Sequence, residues 1–172
     1  MTRIFLIGFM GAGKTTIGKL LGELLRIPFL DLDDYIVDKE KKTVSQIFEL
    51  EGETTFREKE HQYLLELRSY FPAIVAVGGG TPCYHDNMDW MNLNGVTVYL
   101  EVPIKTLIHR LNSNKSHRPV LAEVGNEDLT KEVQTLIESR RPYYEKAHFL
   151  YKSEESETEA AYELASYFLR YL

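Results

Sequence analysis

Four apolar residues, Ile4-Phe-Leu-Ile7, run directly into Gly8-Phe-Met-Gly-Ala-Gly-Lys-Thr15, and Ile17, Leu20, Leu21, Leu24 and Leu25 then follow at helical spacing. A buried strand, a glycine-rich turn and an amphipathic helix, in that order, constrain this chain more than any other feature in it. The eight-residue turn matches G-x-x-x-x-G-K-[ST]. Its glycines let the backbone curl until successive N–H groups face inward, and the helix start adds its positive end, which makes a nest sized for phosphate. Lys14 is expected to reach the β and γ phosphates, and Thr15 to offer its hydroxyl to a Mg²⁺ ion that bridges the same oxygens. Gly11, Ala12, Gly13, Lys14, Thr15 and Thr16 thus form the expected cradle of a nucleoside triphosphate. The motif leaves the acceptor open among water, protein, nucleotide and metabolite.

Apolar runs at Ile4 to Ile7, Pro28 to Leu30, Ala73 to Val77, Val96 to Leu100 and Phe149 to Tyr151 alternate with helical patterns. The helices are expected near 33–41, 44–50, 53–69, 86–93, 103–111, 127–147 and 158–172. This alternation predicts an α/β fold, a three-layer αβα arrangement around a parallel sheet of about five strands. At 172 residues one domain, 1–172, suffices. Within it the helices of about 33–69 are expected to bind substrate, and the polar stretch of about 112–126 to form a lid loop. Arg3 before a short apolar run resembles a signal peptide, but Lys14 interrupts it, and a buried first strand explains the same run. No stretch approaches the ~20 apolar residues of a membrane span. A net charge of −6 argues against a nucleic-acid surface or a polybasic membrane patch. The single Cys83 fits a reducing, cytoplasmic setting.

The acceptor end draws on scattered residues. Asp31 and Asp33 stand at the end of the second strand, with a spacing expected to turn both carboxylates to one face. Asp33 or Asp34 is alternatively the N-cap of the next helix. Arg57 and Glu60, three apart on a helix, can meet and orient the guanidinium, with Phe48 and Phe56 as apolar walls. A solvated surface ion pair is the alternative for Arg57. Gly78, Gly79 and Gly80 close the third apolar run and would let a small ligand lie against bare backbone at the sheet's carboxyl edge. Arg110, Arg118, Arg140 and Arg141 supply local positive charge, Arg118 from within the expected lid.

Gly8 to Thr15, Asp31-Leu-Asp33, Phe56-Arg57, Gly78 to Gly80, Arg118-Pro119 and Arg140 before Pro142-Tyr143 occur in the order and spacing of shikimate kinases, and the chain resembles that family over nearly its whole length. The resemblance implies a P-loop fold of the nucleoside monophosphate kinase type, and a monomer is expected. It also implies Mg²⁺-dependent transfer of the γ-phosphoryl group of ATP to the 3-hydroxyl of shikimate. By it, Asp33, Arg57, Gly78, Gly79, Gly80 and Arg140 hold shikimate, Asp31 and Thr15 serve the metal, and Arg110 and Arg118 serve the nucleotide. Lys14, Asp33 and Arg118 are the expected catalytic residues. The acidic stretch Lys152 to Glu157 departs from what adenine contact favours. A gluconate-type kinase is the alternative enzyme. A nucleotide switch would need a water-positioning Gln and an Asn-Lys-x-Asp motif, and neither stands where it should.

Overall fold

The computed structural model describes residues 3–113, 126–152 and 156–171. Strand β1 (Arg3–Ile7) leads through the glycine turn into helix α1 (Lys14–Leu25), and β2 (Phe29–Asp31) passes without a break into α2 (Leu32–Glu40). Helix α3 (Val44–Glu66) precedes β3 (Ala73–Ala76), a short 3₁₀ turn (Thr81–Cys83), α4 (Asn87–Asn94) and β4 (Val96–Glu101). Helices α5 (Ile104–Ser113) and α6 (Asn126–Tyr144), strand β5 (Phe149–Lys152) and α7 (Glu157–Tyr171) complete the order. All five expected strands are present, and they pair in parallel in the order β2-β3-β1-β4-β5.

The period-2 pattern of β1 builds the three layers. Ile4 and Leu6 point into one apolar cluster with Ile17, Leu21, Val133 and Phe168, whereas Phe5 and Ile7 point into a second with Leu32, Ile36, Ile47 and Leu64. Helices α1, α5, α6 and α7 cover the first face, and α2, α3 and α4 the second. Arg3, read in the sequence as a flank of the run, is buried: its guanidinium donates to the carbonyls of Asn94 at 2.8 Å, Arg68 at 3.0 Å and Tyr70 at 3.0 Å, tying three chain segments at the foot of the sheet. The two helices expected at 44–50 and 53–69 form one element broken at Gly52, whose φ of 82° and ψ of 165° leave the helical region. Thr43 starts it with a capping box, its hydroxyl accepting the Gln46 N–H while the Gln46 side chain accepts the Thr43 N–H. Because β1 sits centrally, with β3 on one side and β4 on the other, the carboxyl ends of β1, β2 and β3 converge on one crevice.

Candidate active site

A cleft of about 680 Å³ opens at that edge, walled on one side by Gly11, Gly13, Lys14, Thr15 and Thr16 and on the other by Asp31, Asp33, Phe48, Phe56, Arg57 and Gly78 to Gly80. Gly8, Gly11 and Gly13 all take positive φ (142°, 82° and 89°), which the tight loop requires. Gly13 is the N-cap of α1 and offers no side chain to cap it, so the first N–H groups of that helix are left to an anion. Lys14 Nζ donates to the carbonyls of Gly8 at 2.8 Å and Phe9 at 2.9 Å, which lays the ammonium along the loop. Ala12 does not line the cleft. It is buried, and its N–H donates to the Phe9 carbonyl at 3.1 Å.

Thr15 Oγ1 donates to Asp31 Oδ2 at 2.7 Å, bringing together the two residues expected at a metal. The other Asp31 oxygen accepts the Asp33 N–H at 3.0 Å, so Asp31, not Asp33 or Asp34, caps α2. The cap expectation is corrected accordingly, and so is its geometry: the strand ends at Asp31, and Asp33 enters the cleft from the first turn of a helix rather than by strand alternation. Burial, reinforced by the neighbouring Glu60 and Asp31 carboxyls, pushes the Asp33 carboxyl up to about 7 against the opposing pull of Lys14 and Arg57.

Arg57 is buried, which removes the reading of a solvated ion pair. Its Nη1 donates to Glu60 Oε2 at 2.8 Å, and its Nη2 and Nε donate to Glu53 Oε1 at 3.1 and 3.3 Å. The cation also lies over the rings of Tyr84 at 4.4 Å, Phe56 at 5.2 Å and Phe48 at 5.8 Å. Of the guanidinium's five N–H groups these bonds use three, leaving one on each terminal nitrogen for a carboxylate.

The three glycines make room for the protein's own charges as well as for a ligand. A Cβ on Gly78 would stand 2.7 Å from Glu60 Oε1, and one on Gly80 would stand 2.6 Å from Arg57 Nη1 and Nη2. Since Gly80 has an ordinary φ of −87°, space and not backbone freedom demands glycine there. At Gly79 such a Cβ would stand 3.3 Å from both Arg140 Nη1 and the Met10 backbone nitrogen, and the Gly79 carbonyl accepts the buried Tyr144 hydroxyl at 2.6 Å. Arg140 is itself buried against Phe9 and lines the cleft, and its Nη1 has no hydrogen-bond partner among the described residues. Arg141 points out to solvent and lines a separate, smaller pocket.

Arg110 reaches the loop from α5, with Nη1 donating to the Gly11 carbonyl at 3.0 Å and Nη2 paired with Glu157 at 2.8 Å. Glu157 also packs on Gly13, its Cγ 2.9 Å from where a Cβ would stand. The expected catalytic Arg118, with most of the expected 112–126 lid, lies outside the described residues. Burial pushes the Cys83 thiol up to about 11, which leaves it a poor nucleophile. Glu53, Thr81, Tyr84, Tyr144 and Glu157 are site residues that sequence reasoning missed. Thr81 and Tyr84 carried a signal in their closeness to the three glycines, and Glu157 in the acidic stretch that ends with it.

A family model described as shikimate kinase matches residues 10–171. The shikimate kinase of Bacteroides fragilis is 42% identical over 172 residues, covering 100% of this chain and 96% of the relative. Among solved structures, a shikimate kinase from Bacteroides thetaiotaomicron superposes with a TM-score of 0.90 at 38% identity, covering 98% of each chain. A shikimate kinase from Acinetobacter baumannii in complex with shikimate gives 0.91 at 35% identity, covering 99% of this chain and 94% of that one. The fold is that of the nucleoside monophosphate kinase-like P-loop proteins, and these matches favour shikimate kinase over a gluconate-type kinase. With a buried arginine pair facing a phosphate loop across one cleft, and with similarity running along the entire chain, the protein belongs to the shikimate kinase family.

Proposed function

We propose that this protein transfers the γ-phosphoryl group of ATP to the 3-hydroxyl of shikimate, and that Arg57 and Arg140 hold the shikimate carboxylate. The observation that carries the reading is Arg140 Nη1, a buried guanidinium nitrogen without a hydrogen-bond partner among the described residues, on an arginine that lines the same cleft as the phosphate loop. A buried cation left unpaired is costly, so an anionic ligand is the natural complement. The two N–H groups left on Arg57 suit the same carboxylate, and Gly78, Gly79 and Gly80 let the ring approach the backbone.

Asp33 accepts a hydrogen bond from the reacting hydroxyl and takes its proton as the oxygen attacks the γ-phosphorus and the bond to the bridging β–γ oxygen breaks. A carboxyl that ionises at about 7 has the affinity to hold that proton in neutral solution. Lys14 and the uncapped N–H groups of Gly13 to Thr16 stabilise the charge that gathers on the phosphate oxygens, as Arg110 does from the side and Arg118 from the lid. The Thr15 hydroxyl and Asp31 carboxylate, 2.7 Å apart, are hard oxygen donors that fit Mg²⁺, an ion that keeps several waters and binds through few protein ligands. When bound, Mg²⁺ supplies charge neutralisation to the β and γ phosphates. We further assign the protein to the cytoplasm as a monomer, the single cysteine fitting a reducing compartment.

A panel of small hydroxy acids offered as acceptors with Mg-ATP tests this reading. Shikimate should raise ADP release far above the rate with water, and a flat response across the panel would overturn it.

A further inference from the structure

The fully buried Glu60 carboxyl divides its two oxygens between two partners. Oε2 accepts from Arg57, and Oε1 accepts the Thr81 hydroxyl at 2.6 Å. Thr81 is held in turn, because Asn87 Nδ2 donates to its backbone carbonyl at 2.9 Å. The Asn87 amide oxygen lies 2.6 Å from His61 Nδ1. With Nδ2 committed as a donor, that oxygen is the acceptor and His61 Nδ1 carries the proton, an assignment set by the hydrogen-bond network. Since His61 follows Glu60 on α3, the chain of bonds leaves the helix at one residue and returns at the next. Glu60, Thr81 and Asn87 are all 0% exposed, so water does not substitute for any link between them.

Such a closed ring fixes the Glu60 carboxyl from a direction independent of Arg57. Without it, a lone glutamate would follow the arginine wherever the cation moved. With it, the arginine follows the glutamate, and the two N–H groups left on Arg57 are aimed before substrate arrives. We propose that Thr81, backed by Asn87 and His61, is a positioning residue for carboxylate recognition, acting on the substrate through Glu60 and Arg57. This rests on the reading of Arg57 as a ligand of the shikimate carboxylate.

The experiment compares kcat/KM for shikimate with kcat/KM for its methyl ester, which keeps the ring and the hydroxyls but lacks the negative charge. If the parent enzyme uses acid and ester equally well, the carboxylate reading itself fails. If the parent strongly prefers the acid, Thr81→Val tests the ring, since valine keeps the shape and removes the donor to a charged acceptor. That preference should fall about tenfold or more, with MgADP affinity unchanged, and Thr81→Ser should restore it to within about twofold. Thr81→Ala serves with the same expectation should the valine variant not fold. His61→Phe, at the half-buried end of the ring, should lower the preference by a smaller factor. A folded Thr81 variant that keeps the parent's preference, or loses acid and ester activity in equal proportion, overturns the proposal, and an unchanged preference in His61→Phe removes His61 and Asn87 from it.

Discussion

Thr15 donates its hydroxyl to one oxygen of Asp31 at 2.7 Å, while the other oxygen of that carboxylate caps α2 through the Asp33 N–H at 3.0 Å. One aspartate therefore joins the phosphate loop to the helix that presents the candidate base, and its two tasks separate by substitution. Asp31→Asn keeps an oxygen for the cap but lacks the charge, so it should need more Mg²⁺ for half-maximal rate with little change in melting temperature. Asp31→Ala should show the same metal defect and lose about 1 kcal/mol of stability with the cap. Titrating Mg²⁺ in steady-state assays, beside thermal melts, checks both. An unaltered Mg²⁺ dependence in Asp31→Asn would remove Asp31 from the metal site.

The raised Asp33 carboxyl makes a two-sided prediction. Its ordinary value of 3.8 becomes about 7 in the folded protein, so between those limits the folded state binds more protons than the unfolded one. Stability therefore falls as pH rises from about 4 to about 7, and the penalty is complete above that. Asp33→Asn escapes it: the ligand-free variant should melt above the parent at pH 8, with the gain vanishing as pH drops toward 4. Activity should move the other way. In the parent, kcat/KM for shikimate should climb as pH rises through about 7, and Asp33→Asn should lose that acid limb along with roughly 10² to 10⁴ in kcat. A loss of only severalfold would mean that Asp33 positions the hydroxyl without taking its proton.

At Gly80 the expected defect is one of space. Gly80→Ala puts a methyl group 2.6 Å from both terminal nitrogens of Arg57, so the guanidinium must leave its place over Tyr84. Calorimetry should find shikimate binding weakened by tenfold or more, at roughly 1.4 kcal/mol per factor of ten, with MgADP binding unchanged. Equal loss of both ligands would point instead to a general collapse of the sheet edge.

What the sequence makes legible follows from the range of each interaction. The phosphate loop is a local structure, so eight consecutive residues specify it, and the apolar runs locate all five strands, most plainly β1 and β3, because a strand buried throughout a parallel sheet is apolar on both faces. Arg140 was also within reach of periodicity: Leu129, Val133, Ile137 and Tyr144 form a buried stripe on α6, and position 140 falls in it while 141 does not. The role of Gly78 and Gly80 was not legible, because the side chains that fill their missing Cβ positions come from a helix some twenty residues earlier. Nor was Glu157 on Gly13, since a contact between the starts of α1 and α7, neighbours in space but far apart in the chain, leaves no local pattern. Asp31 and Asp33 both line the cleft, but that Asp31 rather than Asp33 or Asp34 caps α2 depends on where the strand stops, and propensity does not resolve boundaries to one residue.

The two arginines proposed to hold the substrate should respond oppositely in stability while failing alike in binding. Arg57 compensates the fully buried Glu60, so Arg57→Ala strands a carboxyl in the interior and should cost on the order of 3–5 kcal/mol of folding stability. Arg140 has no carboxylate partner among the described residues: it lies over the Phe9 ring beside the Tyr144 hydroxyl, its Nη1 is buried without a hydrogen-bond partner, and replacing the cation by an apolar chain of similar reach removes a desolvation cost. Arg140→Met should therefore melt at or above the parent temperature, gaining roughly 2–4 °C for each kcal/mol recovered. Both variants should nonetheless weaken shikimate by about 2–5 kcal/mol, the usual cost of truncating one member of a buried charge pair, and leave MgADP nearly unaffected. Melting curves without ligand and titrations with each ligand separate the cases. A drop in stability for Arg140→Met would show that the arginine already has a structural partner, and the case for an anionic ligand built on its unpaired nitrogen would fall with it. A gain in stability bought at the expense of shikimate affinity is what a residue kept for binding rather than for folding should show.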